Sequence, residues 1–169
     1  MKALVWTAPG RMDLQEVPRP TLREGWALVK VINCGICGSD VSGFLGKNEL
    51  RRPPLIMGHE FTGRVLEVGP GASRELVGRL VAVNPIISCG ACSHCRRGER
   101  QLCAKRQLIG VDFPGGFAEF VAVPSSSCYV VNDEVSGALV EPLACAVRAL
   151  RRAGPQLGDT AVVFGAGAI

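Results

Sequence analysis

With 169 residues, 47% of them apolar, the chain is long enough to bury one substantial core and too apolar to be disordered, so one main domain is expected. The formal charge of +4 is mild and partly local to Arg96, Arg97, Arg100, Lys105 and Arg106, which argues only weakly for a polyanionic partner; no nucleic acid is expected. No apolar run approaches the roughly 20 residues of a membrane helix, and the N-terminus lacks the pattern of a secretory signal, so no membrane partner is expected and the chain reads as cytoplasmic.

From residue 2 to about residue 83 the pattern is of short strand-like runs punctuated by Gly and Pro, at residues 2–6, 26–32, 61–68 and 78–83. These predict a mainly β fold with some α, built around a small antiparallel barrel. In the second run Ala27, Val29 and Val31 share one face and Trp26, Leu28, Lys30 and Ile32 the other, so both faces are largely apolar and the strand should be central. Two further runs follow at residues 117–123 and 128–131. Ser136 is then placed to cap a helix whose apolar positions Val140, Leu143, Ala144, Val147 and Leu150 recur at three- and four-residue spacing, a stripe of core type. Pro142 either kinks that helix or sits in the first turn of a restarted one, where its missing N–H costs least. After Gly154 and Pro155 comes a turn, and residues 160–164 read as a buried strand running into Gly165 and Gly167.

Eight cysteines could form four disulfides in a secreted protein, but four of them crowd between Cys89 and Cys103, and metal is the better account. Cys89, Cys92, Cys95 and Cys103 have the spacing of a closed tetrahedral structural zinc site. Four thiolates fill the shell, which leaves His94 as a solvent-facing bystander and the ion without an open position, so this site should shape its loop and perform no chemistry.

A second constellation is spread wider. Cys34, Cys37, Ser39 and Asp40 follow a strand, Gly58-His59-Glu60 precedes the next, and Glu141-Pro142-Leu143 stands near the start of the late helix. Each is ordinary alone, but their order and spacing resemble the zinc-containing medium-chain alcohol dehydrogenases, whose catalytic domain is similar to the GroES barrel. The resemblance runs over essentially the whole chain. It implies that Cys37 and His59 are catalytic zinc ligands. Glu141 falls where simple alcohol dehydrogenases carry a cysteine, and Glu-Pro-Leu there is similar to the polyol (sorbitol-type) and threonine dehydrogenases. In that branch Glu60 is a candidate direct ligand, with Glu141 either ligating or holding the zinc-bound water; His59 and Glu60 can both reach one ion only if the backbone turns, which Gly58 would permit. The resemblance gives Ser39 as a relay hydroxyl and Asp40 as the carboxylate that orients His59. The alternative for both is a cap on a helix over residues 41–45, and the two uses can coexist. Cys34 reads as packing beside the site, and Cys145 as a buried helix residue. A mixed Cys, His and carboxylate set leaves room for a water or a substrate oxygen, as catalytic zinc requires.

Gly165 and Gly167 resemble the glycine turn that receives a dinucleotide pyrophosphate, but the third glycine, its helix and the acidic residue about 20 positions on lie past Ile169. The sequence therefore divides into residues 1–155, a GroES-like zinc-binding catalytic domain with its structural lobe at about 86–106, and residues 156–169, the first strand of an incomplete Rossmann domain. Two zinc ions per chain are expected, one catalytic and one structural. With them come NAD or NADP in the full-length protein, a small alcohol or polyol as substrate, and a homo-oligomer, dimer or tetramer. The 169 residues alone should not transfer hydride. The rival readings are a stand-alone non-enzymatic zinc-binding module and a zinc-ribbon nucleic-acid binder, the latter weakened by the lack of stacking aromatics near the basic cluster.

Overall fold

Antiparallel pairing organises the molecule. In a computed structural model, which describes residues 1–167, β1 (Lys2–Ala8) turns at Gly10 into β2 (Arg11–Glu16), and β3 (Trp26–Gly35) leads into the short helix α1 (Gly38–Phe44). There follow β4 (Leu55–Ile56), β5 (Glu60–Val68), β6 (Leu80–Val83), β7 (Ile86–Ile87), α2 (Ser93–Arg96), β8 (Gln107–Leu108), β9 (Phe120–Pro124), β10 (Cys128–Val130), α3 (Glu134–Ala138) and α4 (Val140–Ala153). The main sheet has the order β10-β6-β5-β3-β9, a smaller one β2-β1-β4, and β7 pairs with β8. Every one of these strand pairs is antiparallel.

The residues of β3 explain its place. It is central, as its two apolar faces predict: Ala27 and Val29 pair with Val123 and Val121 of β9 on one side and with Val68 and Val65 of β5 on the other. Together with Phe61, Val81, Val83 and Ile109 these residues form the buried core, with Val68 packed against it and only partly buried. Leu28 of the opposite face is also buried, and the β2-β1-β4 sheet forms a second layer. That layer is tied on by the Ala3–Ala118 bridge and by Leu4 N–H to Phe117 O at 2.8 Å and Glu119 N–H to Lys2 O at 3.1 Å, which bend the strands toward a barrel.

The late segment departs from the sequence reading in three ways. The cap is Asp133, whose Oδ1 accepts the Ser136 N–H at 2.7 Å; Ser136 lies inside α3. The chain then restarts as α4 with Pro142 at its third residue, inside the first turn. The apolar stripe of α4 is not core: Leu143 is 62% exposed and Leu150 61%, and the helix has no fully buried residue. Residues 160–164 form no strand, and Val162, Val163 and Phe164 are exposed. The reason is common to both. A buried strand and a core-facing helix need a neighbouring layer; α4 touches chiefly β5, β6 and the preceding α3, and residues 160–164 pair with no strand among the described residues. Ala168 and Ile169, the end of the glycine segment, lie outside the described residues.

This asymmetry sets expected energetics. Leu28→Ala should destabilise the chain by about 2–5 kcal/mol, a core truncation, whereas Leu143→Ala should change stability by no more than about 0.5 kcal/mol. Urea unfolding of the two variants measures the contrast.

Candidate metal centres

The β3–β5 ladder builds the first centre. Its last pair is Gly35 with Glu60, so Cys37, two residues past the end of β3, comes beside His59, one residue before β5. Gly58 turns the backbone with φ +91°, and any side chain there would strike Phe117 and the Cys34 Sγ. Gly35 is needed too, since a Cβ would come within 2.6 Å of Glu60 Oε2. The outcome is that one donor atom from each of Cys37, His59 and Glu60 lies within 4.8 Å of the others.

His59 is held from both sides. Its Nδ1 faces Asp40 Oδ1 at 3.4 Å, too poorly aligned for a hydrogen bond, and its Nε2 points toward Glu60 Oε1 at 4.0 Å. Asp40 is fully buried; its Oδ2 accepts the Cys37 N–H at 3.1 Å and caps α1, while Oδ1 takes a charged bond from Arg51 Nη2 at 2.9 Å. Capping and facing the histidine thus coexist in one carboxylate. Burial is the largest single influence on His59 and pushes its pKa down, but Asp40, followed by Glu141 and Glu60, outweighs it, and the net shift is upward. Burial likewise pushes Asp40 up, yet His59, the Cys37 N–H and Arg51 prevail and hold it below its ordinary value.

Glu141 stands apart. It lies in the first turn of α4, close enough to feel His59 and Glu60, but it falls outside the set whose donor atoms converge. Its carboxyl is pushed up by burial, with Glu60 and Asp40 adding to the effect. Cys145, expected to be buried, is exposed because α4 is uncovered, and its thiol reaches Glu141 Oε1 at 3.8 Å. Cys34 packs against the core, and burial, followed by Asp40 and Glu60, drives its thiol to about 12, so it stays protonated. Ser39 and His59 line a cavity of about 160 Å³ whose other walls include Asn48, Leu50, Leu108, Ile109 and Val111. No spacing rule pointed to these wall residues or to Arg51, because loops far apart in sequence deliver them.

The second centre gathers Cys89, Cys92, Cys95 and Cys103, whose sulfurs also lie within 4.8 Å of one another. Cys92 and Cys95 Sγ are 3.4 Å apart, far beyond a disulfide length of about 2.05 Å. N–H groups of Ala91 and Cys92, followed by Cys103, lower the Cys89 thiol to about 6. Burial raises that of Cys95. His94 bonds Glu99 Oε2 at 3.1 Å and takes no part in the cluster. Gly165 and Gly167 are exposed and have no partner element among the described residues.

A β scaffold carrying a four-cysteine lobe and a separate Cys, His and Glu cluster offers two places that could hold a metal ion, and the comparisons say to which family it belongs. The alcohol dehydrogenase GroES-like domain matches residues 23–133, and the chain belongs to that family. It is 35% identical over 172 residues to the starvation-sensing protein RspB of Escherichia coli, covering 100% of this chain and 51% of that protein. It is 37% identical over 175 residues to a sorbitol dehydrogenase of Halalkalibacterium halodurans, covering 100% and 51%. Among solved structures, an alcohol dehydrogenase (rspB) of E. coli CFT073 complexed with NADH superposes with a TM-score of 0.89 at 33% identity, over 95% of this chain and 48% of that one. The chain thus spans about half the length of the curated relatives it matches. No helix among the described residues is long and apolar enough to cross a membrane.

The two shifts at His59 and Asp40 have opposite pH signatures in the metal-free chain. The raised His59 stabilises fully below 6.5, its ordinary value, and that contribution is lost as pH rises through the higher folded value. The depressed Asp40 stabilises fully above 3.8 and its contribution is lost as pH falls through the lower folded value. Thermal melts in chelator should therefore show the margin of the wild type over His59→Gln shrinking as pH rises above 6.5.

Proposed function

We propose that this chain is the zinc-binding catalytic domain of a zinc-dependent alcohol or polyol dehydrogenase. The longer protein oxidises a secondary alcohol or polyol with hydride transfer to NAD or NADP, and residues 156–169 open its dinucleotide-binding domain. The observation that carries the reading is the convergence of Cys37, His59 and Glu60 within 4.8 Å, at the edge of a cavity that His59 shares with Ser39.

The donor set fits zinc. One thiolate, one imidazole nitrogen and one carboxylate give three protein ligands and leave a position for a substrate oxygen. His59 turns its Nδ1 to a buried carboxylate and its Nε2 to the cluster, the orientation a carboxylate-backed zinc histidine requires. The convergence favours Glu60 over Glu141 as the third ligand, which leaves Glu141, whose carboxyl burial pushes up, facing the site from α4. When bound, zinc supplies Lewis-acid polarisation of a hydroxyl group and lowers its pKa. Asp40 orients the His59 ring and balances its charge. Ser39 Oγ accepts from Arg51 Nη2 at 3.2 Å, so its own proton is free to be passed on, which suits a hydroxyl that receives and relays the proton the substrate gives up.

The four-cysteine cluster holds a second zinc that shapes the lobe and takes no part in the reaction, since four thiolates close the shell. Two thiol-dependent sites suit a reducing cytoplasm.

Metal analysis of the chain should return two zinc ions. Replacing both Cys37 and His59 should leave one, bound by the cysteine lobe; loss of both on changing Cys37 alone contradicts independent sites, and retention of both places the second ion elsewhere. In the longer protein, Ser39→Ala should lower kcat by about 10²–10⁴-fold with zinc content unchanged, measured as NAD(P)H formation with a polyol substrate.

A further inference from the structure

Among the described residues Arg51 is the one buried Arg or Lys beside the first centre, and the ligand set does not account for it. Its side chain is 3% exposed and that of its partner Asp40 2%. Nη1 donates to the Ser39 carbonyl at 2.9 Å, while Nη2 donates to Ser39 Oγ at 3.2 Å and to Asp40 Oδ1 at 2.9 Å. Only a guanidinium, with its fork of donors, serves three such acceptors from one position; an ammonium cannot hold them in one plane. The oxygen it grips is the one that faces His59 Nδ1, and the other oxygen is occupied by the Cys37 N–H. The carboxylate is thereby fixed at both ends. Gly43 makes the arrangement possible, because a Cβ there would fall 2.6 Å from Arg51 Cδ.

We propose that Arg51 is a positioning residue for the Cys37–His59–Glu60 centre: it locks Asp40 behind the His59 ring and fills an acceptor site on Ser39 Oγ, aiming the ring at the metal and the hydroxyl proton at the cavity. This rests on the zinc-site reading above. It predicts that removing the guanidinium weakens one metal site and spares the other, although Arg51 touches no ligand donor atom.

Zinc competition against a chromogenic chelator, with cobalt(II) absorption as a second readout, tests this on the full chain. Arg51→Met should bind the zinc of the Cys37–His59–Glu60 centre about 10–100-fold more weakly, the loss typical of removing an outer partner of a metal ligand. The cobalt bands of that site should shift while the four-cysteine site keeps its affinity and spectrum. Arg51→Lys, which keeps the charge but not the fork, should recover part of the loss. Unchanged affinity and unchanged bands in Arg51→Met overturn the proposal, as does an equal loss at both sites, which marks a merely structural role. If Arg51→Met does not fold, Gly43→Ala carries the test, because its methyl displaces the Arg51 stem and leaves Asp40 and Ser39 intact. A loss near about 10-fold at the same site alone supports the proposal, and wild-type binding overturns it. A wild-type chain that binds a single metal, indifferent to Cys37→Ser, sinks the zinc-site reading itself and is distinguishable from every outcome above.

Discussion

The register of β3 on β5 governs where the chemistry can occur. Pairing Gly35 with Glu60 at the end of the ladder places the segment that carries Cys37 against the segment that carries His59, and the turn at Gly58 completes the approach. A slip of one residue would send Glu60 to the opposite face and part the three donors. The ladder is anchored at its other end, where Ala27, Val29 and Val65 bury their side chains in the core, and it reaches the site through irregularities between Leu28 and Val29 and between Val31 and Asn33. Core packing and site geometry are therefore one constraint: the apolar face of β3 sets the address of the polar groups beyond its end.

Electrostatics adds a second layer to that constraint. Asp40, Glu60 and Glu141 lie about His59, and among the described residues Arg51, bonded to Asp40, is the one Arg or Lys paired with any of them. Three acidic groups against one guanidinium leave an excess of negative charge that a divalent cation would relieve, which agrees with the donor chemistry. Breaking the buried pair from one side would strand a charge, at a cost of about 3–5 kcal/mol. The site is thus built on a pair whose members depend on each other.

Much of this was legible in the residues themselves. The period of residues 26–32 marks a central strand, and the spacing of the four cysteines marks one cluster, because both signals are local and their partners lie within a few residues or on a regular ladder. The turn at Gly58 that lets adjacent residues face one cluster was also foreseeable from glycine alone. What escaped was non-local or depended on missing neighbours. Arg51 has no spacing relation to Asp40 that a pattern could carry. The stripe on α4 and the apolar run of residues 160–164 have the right periodicity for burial, but periodicity states what a segment can bury and is silent on whether a partner layer is at hand. Ser136 and Asp133 are equally good caps by type, and the choice between them is made by where the chain leaves β10.

The cysteine lobe has a consequence for the life of the molecule. Between β7 and β8 its order comes from a four-residue helix, a short 3-10 turn and two sulfurs that are buried, with Leu102 left 44% exposed and no aliphatic cluster beneath. On the zinc-site proposal, such a loop would owe its shape to the ion its four cysteines gather. Zinc supply at the time of synthesis then decides whether this segment is a rigid knob or an open stretch rich in basic residues, the kind of stretch that trypsin-like proteases cut first.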